Sequence, residues 1–291
     1  MTTIRPRRSV LYMPGSNARA LDKARTLPAD ALILDLEDAV APDAKDLARQ
    51  QVADAVKAKG FGKREIVVRI NALSTPWGDA DLHAAAESQP DAILVPKIST
   101  VADLDHIEER VARHHSARRI AVWAMIETPL AILNIAGIAA WGGRLACFVM
   151  GTNDLIKEIR GIHTQDRMNL AAALSLSVLA ARANGLAVID GVYNDIANAD
   201  GFQATCEQAR AFGFDGKTLI HPTQVEPCNA VFAPSAAEVE DARKLIAAFD
   251  LPENKGKGAI KLDGRMVELL HAEIARRTVA MADAIAALEA A

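Results

Sequence analysis

Cysteine is scarce in this sequence. Three of the 291 residues are cysteines, Cys147, Cys206 and Cys228, and they lie far apart along the chain. This number and spacing exclude a disulfide framework and a cysteine-rich zinc site. The pattern is typical of a protein in a reducing compartment, so we expect a cytoplasmic location.

Long apolar runs and basic stretches are also missing. No uninterrupted apolar segment approaches the roughly 20 residues that span a bilayer, and none follows the charged N-terminus as in a secretion signal. The net charge is −4, and no stripe of the sequence is strongly basic. We therefore expect no membrane association and no nucleic-acid partner.

Short aliphatic runs alternate with longer alanine-rich segments of helical period along most of the chain. The runs are continuously apolar, which is typical of parallel strands covered on both faces. The predicted strands are residues 10–13, 31–37, 65–70, 92–97, 121–127, 147–151, 187–191 and 217–220. Eight strands, each followed by helical sequence, predict a (β/α)8 TIM barrel. An open doubly wound sheet is the main rival, but no glycine-rich phosphate fingerprint follows the first strand.

The end of the chain does not continue the barrel pattern. Residues 1–235 predict the barrel domain and residues 236–291 a C-terminal helical extension, with ENKGKG as the best linker candidate. The last predicted helix has an apolar stripe that some surface must cover, and its own barrel and a neighbouring subunit are equally open. The stripe comprises Met266, Leu269, Leu270, Ile274, Val279, Met281, Ile285 and Leu288.

Two acidic residues come at the ends of consecutive predicted strands. Glu127 ends the run AVWAMIE, and Asp154 follows CFVMG. The carboxyl ends of barrel strands converge on one face, where the chemistry of such barrels takes place. Two carboxylates presented there, with room for an ion, suit a hard divalent cation such as Mg²⁺. Either residue alone could be a surface charge, but their shared position favours a metal site.

Other polar residues also fall at strand ends. Arg69 ends an apolar strand, where its guanidinium suits bidentate capture of a substrate carboxylate. The alternative is an ion pair with Glu37 or Asp38. Lys97 is either a second anion anchor or a partner of the acids, and His221 is interpreted as a residue at the start of a helix.

The PGSN turn at residues 14–17 leads from the first strand into a helix that carries Arg19 and Lys23. Backbone N–H groups at the start of a helix bind phosphate well. A capped helix with solvated charges explains the same residues, so both interpretations stay open.

Together, these motifs resemble the citrate lyase β-subunit-like family of CoA-ester lyases, within the HpcH/HpaI aldolase superfamily. They run in family order from residue 7 to about 235, with a weaker match through the C-terminal helix. The matching segments are RRSVLYMPGSN, ADALILDLEDAVAPDAK, VVRINAL, ILVPKI, MIETPLAILN, GTNDL and GKTLIHPTQVEPCNAVFAPS.

The resemblance implies a (β/α)8 barrel that binds Mg²⁺, with Mn²⁺ able to substitute, and that acts on a CoA thioester and a small oxo-acid. It implies Glu127 and Asp154 as metal ligands and Arg69 as the ligand of the oxo-acid carboxylate. Glu37 and Asp38 would organise metal-bound water. A homotrimer or hexamer is expected by family analogy. The implied substrate-binding positions are Arg19, Lys23, Gly151, Thr152 and Asn153, with the first two near the CoA phosphates.

One position departs from the family pattern. Many relatives carry an aspartate acid/base in a C-terminal Gly-x-Met-Val/Ile-Asp motif, delivered by a neighbouring subunit, whereas this chain has Glu268 in GRMVE. The extra methylene shifts the carboxylate by on the order of 1 Å, which matters for proton transfer. Glu268 could still serve as the acid/base, could activate water instead, or could simply start the last helix.

The leading prediction is a Mg²⁺-dependent lyase that cleaves malyl-, β-methylmalyl- or citramalyl-CoA to acetyl- or propionyl-CoA with glyoxylate or pyruvate. The second is a (3S)-malyl-CoA thioesterase that uses the same site. A citrate lyase β subunit acting on a carrier-protein thioester is the third, and a non-catalytic CoA-ester-binding protein is the fourth.

Overall fold

The computed structural model describes residues 4–114 and 119–290. The chain forms two compact units. One comprises Arg7–Phe232, and the other comprises the described residues of 233–291 together with those of 1–6.

Within the described residues, eight parallel strands close into a barrel in the first unit. Their order around the barrel follows the chain, and the eighth strand pairs with the first. The strands are β1 (Ser9–Pro14), β2 (Ala31–Asp35), β3 (Glu65–Arg69), β4 (Ala92–Val95), β5 (Ala121–Ile126), β6 (Leu145–Met150), β7 (Ala187–Asp190) and β8 (Gly216–Leu219). Each end lies within two residues of its predicted position. The closed order confirms the (β/α)8 barrel and excludes the open doubly wound sheet.

Helices follow the strands and surround the barrel. Side-chain caps fix several starts: Thr100 caps the fourth helix in a capping box with Asp103, and Asn198 caps the ninth. The helices of this unit are α1 (Ala18–Ala24), α2 (Lys45–Ala58), α3 (Gly78–Ser88), α4 (Val101–Val111), α5 (Pro129–Leu133), α6 (Ile135–Ala140), α7 (Thr152–Glu158), α8 (Ala171–Ala183), α9 (Ala199–Phe212) and α10 (Val225–Phe232). No helix in the described ranges has the length and apolar character required to cross a bilayer.

The hydrophobic core of this unit has two layers. Alternate strand residues such as Leu32 and Leu34 pack outward against the helices. The residues between them, such as Ile33, Val67 and Trp123, pack against each other inside the barrel. Because side chains alternate along a strand, the next inward-facing position is found by counting in twos. By this count, the inward-facing side chains at the carboxyl ends of the strands, where the barrel opens, include those of Tyr12, Asp35, Arg69 and Glu127.

The second unit contains two helices and a two-stranded hairpin. The elements are α11 (Ala236–Asp250), β9 (Ala259–Leu262), β10 (Arg265–Glu268) and α12 (Leu269–Glu289). Antiparallel β9 and β10 are joined by Asp263 and Gly264, both with positive φ, as a two-residue type I′ turn requires. This hairpin was not among the predicted elements, although Asp-Gly between short apolar segments indicates one.

Part of the predicted apolar stripe of α12 is exposed. Leu269, Leu270 and Ile274 are each about half exposed or more, whereas Ile285 is buried. Met266 is also exposed, but it lies in β10 and not, as predicted from the sequence, in the last helix. The small core of this unit is formed around Phe249, Ile260 and Ala272. That a neighbouring subunit covers the exposed residues stays a prediction.

Candidate functional site

A cavity of about 290 Å³ opens at the carboxyl ends of the barrel strands. Its lining includes seven predicted site residues, Asp38, Arg69, Glu127, Gly151, Thr152, Asn153 and Asp154. Tyr12 and Asp35 complete one wall, and Thr218 of β8 lies in another. Residues that are more than one hundred positions apart in sequence therefore share one small space.

Arg69 is the best-anchored cation in this cavity. Its Nε donates to Oδ1 of Asp35 at 2.6 Å and its Nη2 to Oδ2 at 2.7 Å, a bidentate pair in which both side chains are buried. The guanidinium also lies over the Tyr12 ring, 4.7 Å from its centroid. Nη2 carries a second N–H, which is the kind of donor that a substrate carboxylate accepts from.

Glu37 and Asp38 approach the same guanidinium from the loop after β2. Nη1 of Arg69 lies 2.7 Å from Oε2 of Glu37 and 3.3 Å from Oδ2 of Asp38. Burial raises the pKa of Glu37 to about 8, although the attraction of Arg69 opposes this shift. The ion pairs named in the sequence analysis as the alternative role of Arg69 are thus present, and Asp35 adds a third.

Lys45, at the start of α2, fixes the loop that carries Glu37 by hydrogen bonds to its backbone. Its buried ammonium donates to the backbone oxygens of Leu36 and Glu37 and to Oδ1 of Asn71, each at 2.8 Å. All three of its N–H groups therefore have acceptors. Asn71 in turn donates to the Leu36 oxygen at 2.7 Å, so this segment is fixed by side chains from two other elements.

Glu127 is buried at the end of β5. Its Oε1 accepts the backbone N–H of Lys97 at 2.8 Å. Its Oε2 lies against Gly151, where a Cβ would approach Oε2 to 2.5 Å and the Cβ of Glu127 to 2.4 Å. Glycine at position 151 therefore makes room for this carboxylate. Burial raises the pKa of Glu127 above its usual value, while Lys97 acts in the opposite direction.

Asp154 lies in the first turn of α7, beside Glu127. Its Oδ1 accepts a hydrogen bond from Nζ of Lys97 at 2.7 Å. Both side chains are partly exposed, 30% for Asp154 and 43% for Lys97. Lys97 is thus a partner of the acids, one of the two roles the sequence analysis left open.

The donor set fits Mg²⁺. Among residues 4–114 and 119–290, no three or more His, Cys, Asp or Glu side chains are grouped to hold a metal ion. Glu127 and Asp154 are two carboxylates on one cavity wall, and Mg²⁺ is commonly held by one or two carboxylates together with water and substrate oxygens. A divalent cation would also offset the cost of ionising the buried Glu127.

The remaining predicted residues of the GTNDL segment lie beside the acids. Asn153 and Asn194 form two reciprocal amide hydrogen bonds, at 2.9 and 3.2 Å. Thr152 is buried, and a Cβ at Gly191 would lie 2.5 Å from its Oγ1. These contacts join the loop after β7 to the start of α7.

Other candidates lie outside the cavity. Arg19 and Lys23 are exposed on α1, and neither lines it. Asp190, which ends β7 as Arg69 ends β3, faces outward and pairs with Lys217 and Arg167. His221 precedes the 3₁₀ turn Pro222–Gln224 and caps it, as interpreted from the sequence.

Glu268 belongs to the second unit. It ends β10, immediately before α12, and is exposed. Its backbone N–H donates to Nδ1 of His271 at 3.0 Å. This position at the start of a helix agrees with the simplest of the three interpretations and does not contradict the other two.

Three further residues of the site, Asp35, Tyr12 and Lys45, were not predicted from the sequence. Asp35 and Tyr12 lie two residues beyond the inward-facing Ile33 and Val10, so the period-two count could have found them. Lys45 carries no comparable signal, since its acceptors come from two distant segments.

Comparison with known proteins adds three findings. Residues 8–222 match the family described as HpcH/HpaI aldolase/citrate lyase. A (3S)-malyl-CoA thioesterase of Cereibacter sphaeroides is 51% identical over 285 residues, 98% of each chain. The citrate lyase subunit beta of Escherichia coli is 35% identical over 269 residues, 91% of this chain and 89% of that one.

Solved structures agree with these sequence matches. The protein CitE from Mycobacterium tuberculosis, in complex with magnesium, acetoacetate and coenzyme A, has a TM-score of 0.73. It is 31% identical, and the match covers 93% of this chain and 97% of that chain.

Proposed function

The chain belongs to the HpcH/HpaI aldolase/citrate lyase family, and on that premise we propose that it hydrolyses (3S)-malyl-CoA to malate and free CoA, with Mg²⁺ bound. The observation that carries this proposal is the 51% identity to a (3S)-malyl-CoA thioesterase over 98% of both chains. On this support we propose hydrolysis before the carbon–carbon lyase reaction, which was the leading prediction from the sequence.

Glu127 and Asp154 would hold the Mg²⁺ ion. When bound, the ion supplies Lewis-acid polarisation of the substrate oxygens that it contacts. Arg69 binds and orients the acyl carboxylate through the N–H of Nη2 that Asp35 does not use. Asp35 keeps the guanidinium in place during binding, since it holds both Nε and Nη2.

The size of the cavity supports a division of the substrate. At about 290 Å³, it is near the lower limit of small-molecule sites. A four-carbon acyl group fits such a space, whereas a complete CoA ester does not. The CoA moiety must therefore extend out of the mouth. The proposed contacts for its phosphates are Arg19 and Lys23, on the helix that follows β1.

This assignment of Arg19 and Lys23 has a direct test. We expect Arg19→Ala with Lys23→Ala to raise the KM for malyl-CoA several-fold at low ionic strength and by less at 0.5 M salt, because exposed charges are screened. A KM that is unchanged at low salt would remove both residues from the proposed site.

Hydrolysis also needs a group that activates water. We assign this role to Glu268, supplied by a neighbouring copy of the chain in a homotrimer or hexamer. Its exposure and the exposed apolar residues of α12 support this assignment. Substitution of Mn²⁺ for Mg²⁺, the assembly itself and a cytoplasmic location remain predictions. Glu268→Gln should lower turnover while leaving the KM within about two-fold; wild-type turnover would contradict the role.

Carbon–carbon cleavage of the same ester is the second candidate. It is favoured by Arg69 beside the acid pair, since this arrangement suits an oxo-acid carboxylate next to a metal ion. The relationship to a citrate lyase subunit supports the same alternative. This reaction would release glyoxylate and acetyl-CoA.

Product analysis separates the two reactions. Purified protein with Mg²⁺ and malyl-CoA is expected to release free thiol and malate in equal amounts, without glyoxylate. Glyoxylate with acetyl-CoA would establish the lyase instead. Acetyl-CoA alone is the control for secondary hydrolysis, and Asp154→Ala protein is the control for contaminating activity. No turnover of malyl-, β-methylmalyl- or citramalyl-CoA would overturn both candidates.

A further inference from the structure

We propose that Lys97 is a positioning residue that competes with the divalent cation for Asp154, so that metal binding requires displacement of its ammonium group. This inference rests on the metal site of the proposed function. Lys97 belongs to the ILVPKI segment, but the proposed reaction gives this residue no role.

Lys97 contacts both proposed metal ligands, and it does so with different atoms. Its backbone N–H donates to Oε1 of Glu127, and its Nζ donates to Oδ1 of Asp154, at 2.8 and 2.7 Å. The residue follows β4 with φ +57°, a left-handed conformation that is uncommon outside glycine. The backbone is thereby turned to donate toward Glu127, while the side chain reaches α7.

The two contacts differ in what a metal ion would do to them. A backbone N–H to one oxygen of Glu127 leaves Oε2 for a cation and adds no net charge near it. The ammonium of Lys97 brings a full positive charge to Asp154. Mg²⁺ ligands lie about 2.0–2.1 Å from the ion. An ion bound to Asp154 would therefore meet strong repulsion from an ammonium 2.7 Å from the same carboxylate.

Space beside the Lys97 side chain can receive its displaced ammonium group. The Lys97 side chain is 43% exposed and also lines a second cavity of about 320 Å³, between the loop after β3 and α4. Ser74, Asp103 and Arg110 are among the residues that line that cavity. Displacement therefore requires a rotation of a flexible side chain and no movement of the barrel.

The change in metal affinity when the Lys97 charge is removed distinguishes competition with the ion from a purely structural role. If Lys97 competes with the metal ion, removing its charge tightens metal binding. If Lys97 only braces the acid pair, removing it loosens that pair and weakens metal binding. The substitution Lys97→Met keeps the backbone N–H that holds Glu127 and removes only the ammonium.

The test is the affinity for Mn²⁺, measured by calorimetry and by electron paramagnetic resonance of free Mn²⁺, on the full-length protein. We expect Lys97→Met to bind Mn²⁺ about ten-fold more tightly than wild type, the value of one charged hydrogen bond. Lys97→Arg, which keeps the charge, should stay within about three-fold of wild type. Lys157→Met removes a lysine from the exposed side of the same helix as Asp154 and controls for net charge; it should change the affinity by less than two-fold.

Each outcome is informative. Mn²⁺ affinity of Lys97→Met that is equal to or weaker than wild type overturns the inference, provided that its thermal unfolding matches wild type. Lys97→Gln gives the same comparison if the methionine variant is unstable. The Glu127→Ala variant shows whether the titrated site is the proposed one. If wild type and Glu127→Ala bind Mn²⁺ equally, the metal site itself is wrong and the proposed function fails with it.

Discussion

The two flanks of the barrel mouth each hold one cation against carboxylates, and they do so in opposite ways. On the β2–β3 flank, Arg69 pairs with three acids, and its side chain is 8% exposed. On the β4–β6 flank, the ammonium of Lys97 pairs with Asp154, and the Lys97 side chain is 43% exposed. Arg69 is enclosed by its partners, so we call the β2–β3 flank rigid. Lys97 can leave its partner, so we call the β4–β6 flank exchangeable.

This difference follows from the chemistry of the two side chains. A planar guanidinium has five N–H groups in a fixed fork and stays charged, so burying it among carboxylates gives a rigid arrangement. An ammonium on a four-carbon stem is a compact charge that rotates easily. The β2–β3 flank is therefore suited to orienting a substrate carboxylate. The β4–β6 flank is suited to reversible binding of a cation.

The largest expected effect comes from the exchangeable flank. Asp154→Ala should lower turnover by roughly 10³-fold or more, because it removes one of two protein ligands of the metal ion. The unfolding free energy should change by less than about 1 kcal/mol, since the side chain is partly exposed. Turnover of malyl-CoA and urea denaturation measure the two quantities. Asp195→Ala, an exposed acid in the loop after β7, is the matched control, and near wild-type turnover in Asp154→Ala would remove the site assignment.

Exchanging the two kinds of cation should affect the flanks unequally. Arg69→Lys loses the bidentate pair with Asp35 and leaves buried carboxylates without donors, so we expect a loss of about 3 kcal/mol in unfolding free energy and of on the order of 10²-fold in kcat/KM. The mirror substitution Lys97→Arg should cost less than about 1 kcal/mol. Equal losses in the two variants would contradict the contrast between a rigid and an exchangeable flank.

The next effect is a loss of stability when Lys45, which holds the Glu37 segment of the β2–β3 flank, is replaced. Lys45→Met removes three hydrogen bonds, two of them to buried oxygens, and should lower the unfolding free energy by about 2–3 kcal/mol. Lys57→Met, at an exposed position of the same helix, should leave it within about 0.5 kcal/mol of wild type. Urea denaturation at constant pH measures both. Similar stability of the two variants would show that Lys45 does not anchor the Glu37 segment.

The smallest effect is a pH dependence on the rigid flank. Burial raises the pKa of Glu37 from 4.5 to about 8 in the folded protein. A carboxyl group with a raised pKa destabilises the fold once it ionises. Its cost is therefore absent below about pH 4.5, grows between about pH 4.5 and about pH 8, and stays constant above that pH. Relative to wild type, Glu37→Gln should gain about 1–2 kcal/mol in unfolding free energy between pH 5 and pH 8.5, below the roughly 4 kcal/mol of an unscreened shift, because the Glu37 side chain is partly exposed. A stability difference that stays constant over this range would refute the raised pKa.

The barrel and the acid pair were predictable because both have local signals. Continuous aliphatic runs mark each strand, and Glu127 and Asp154 come where two of those runs end. Arg69 was found for the same reason, at the last position of β3. The geometry of the strand ends then follows from the closed barrel.

The hydrogen-bond and ion-pair partners of the site residues could not be predicted from the sequence. The acceptors of Lys45 include Asn71, which is 26 residues away and is brought close only by the packing of α2 beneath the strand ends. Whether Lys97 would bind an anion or an acid depended on the distance from β4 to α7. Asp35 resembles the other acids of its segment in sequence, and only its inward direction makes it the main partner of Arg69.

Gly151 links two segments that any chimera of this barrel would need to inherit together. Because the carboxylate of Glu127 occupies the volume that a Cβ at position 151 would fill, β5 and β6 form a matched pair. Exchanging either one alone with a related barrel that carries a larger residue at position 151 would disable the acid pair without altering either acid. Libraries built by recombination should therefore place their crossovers before β5 or after α7, and not between the two strands.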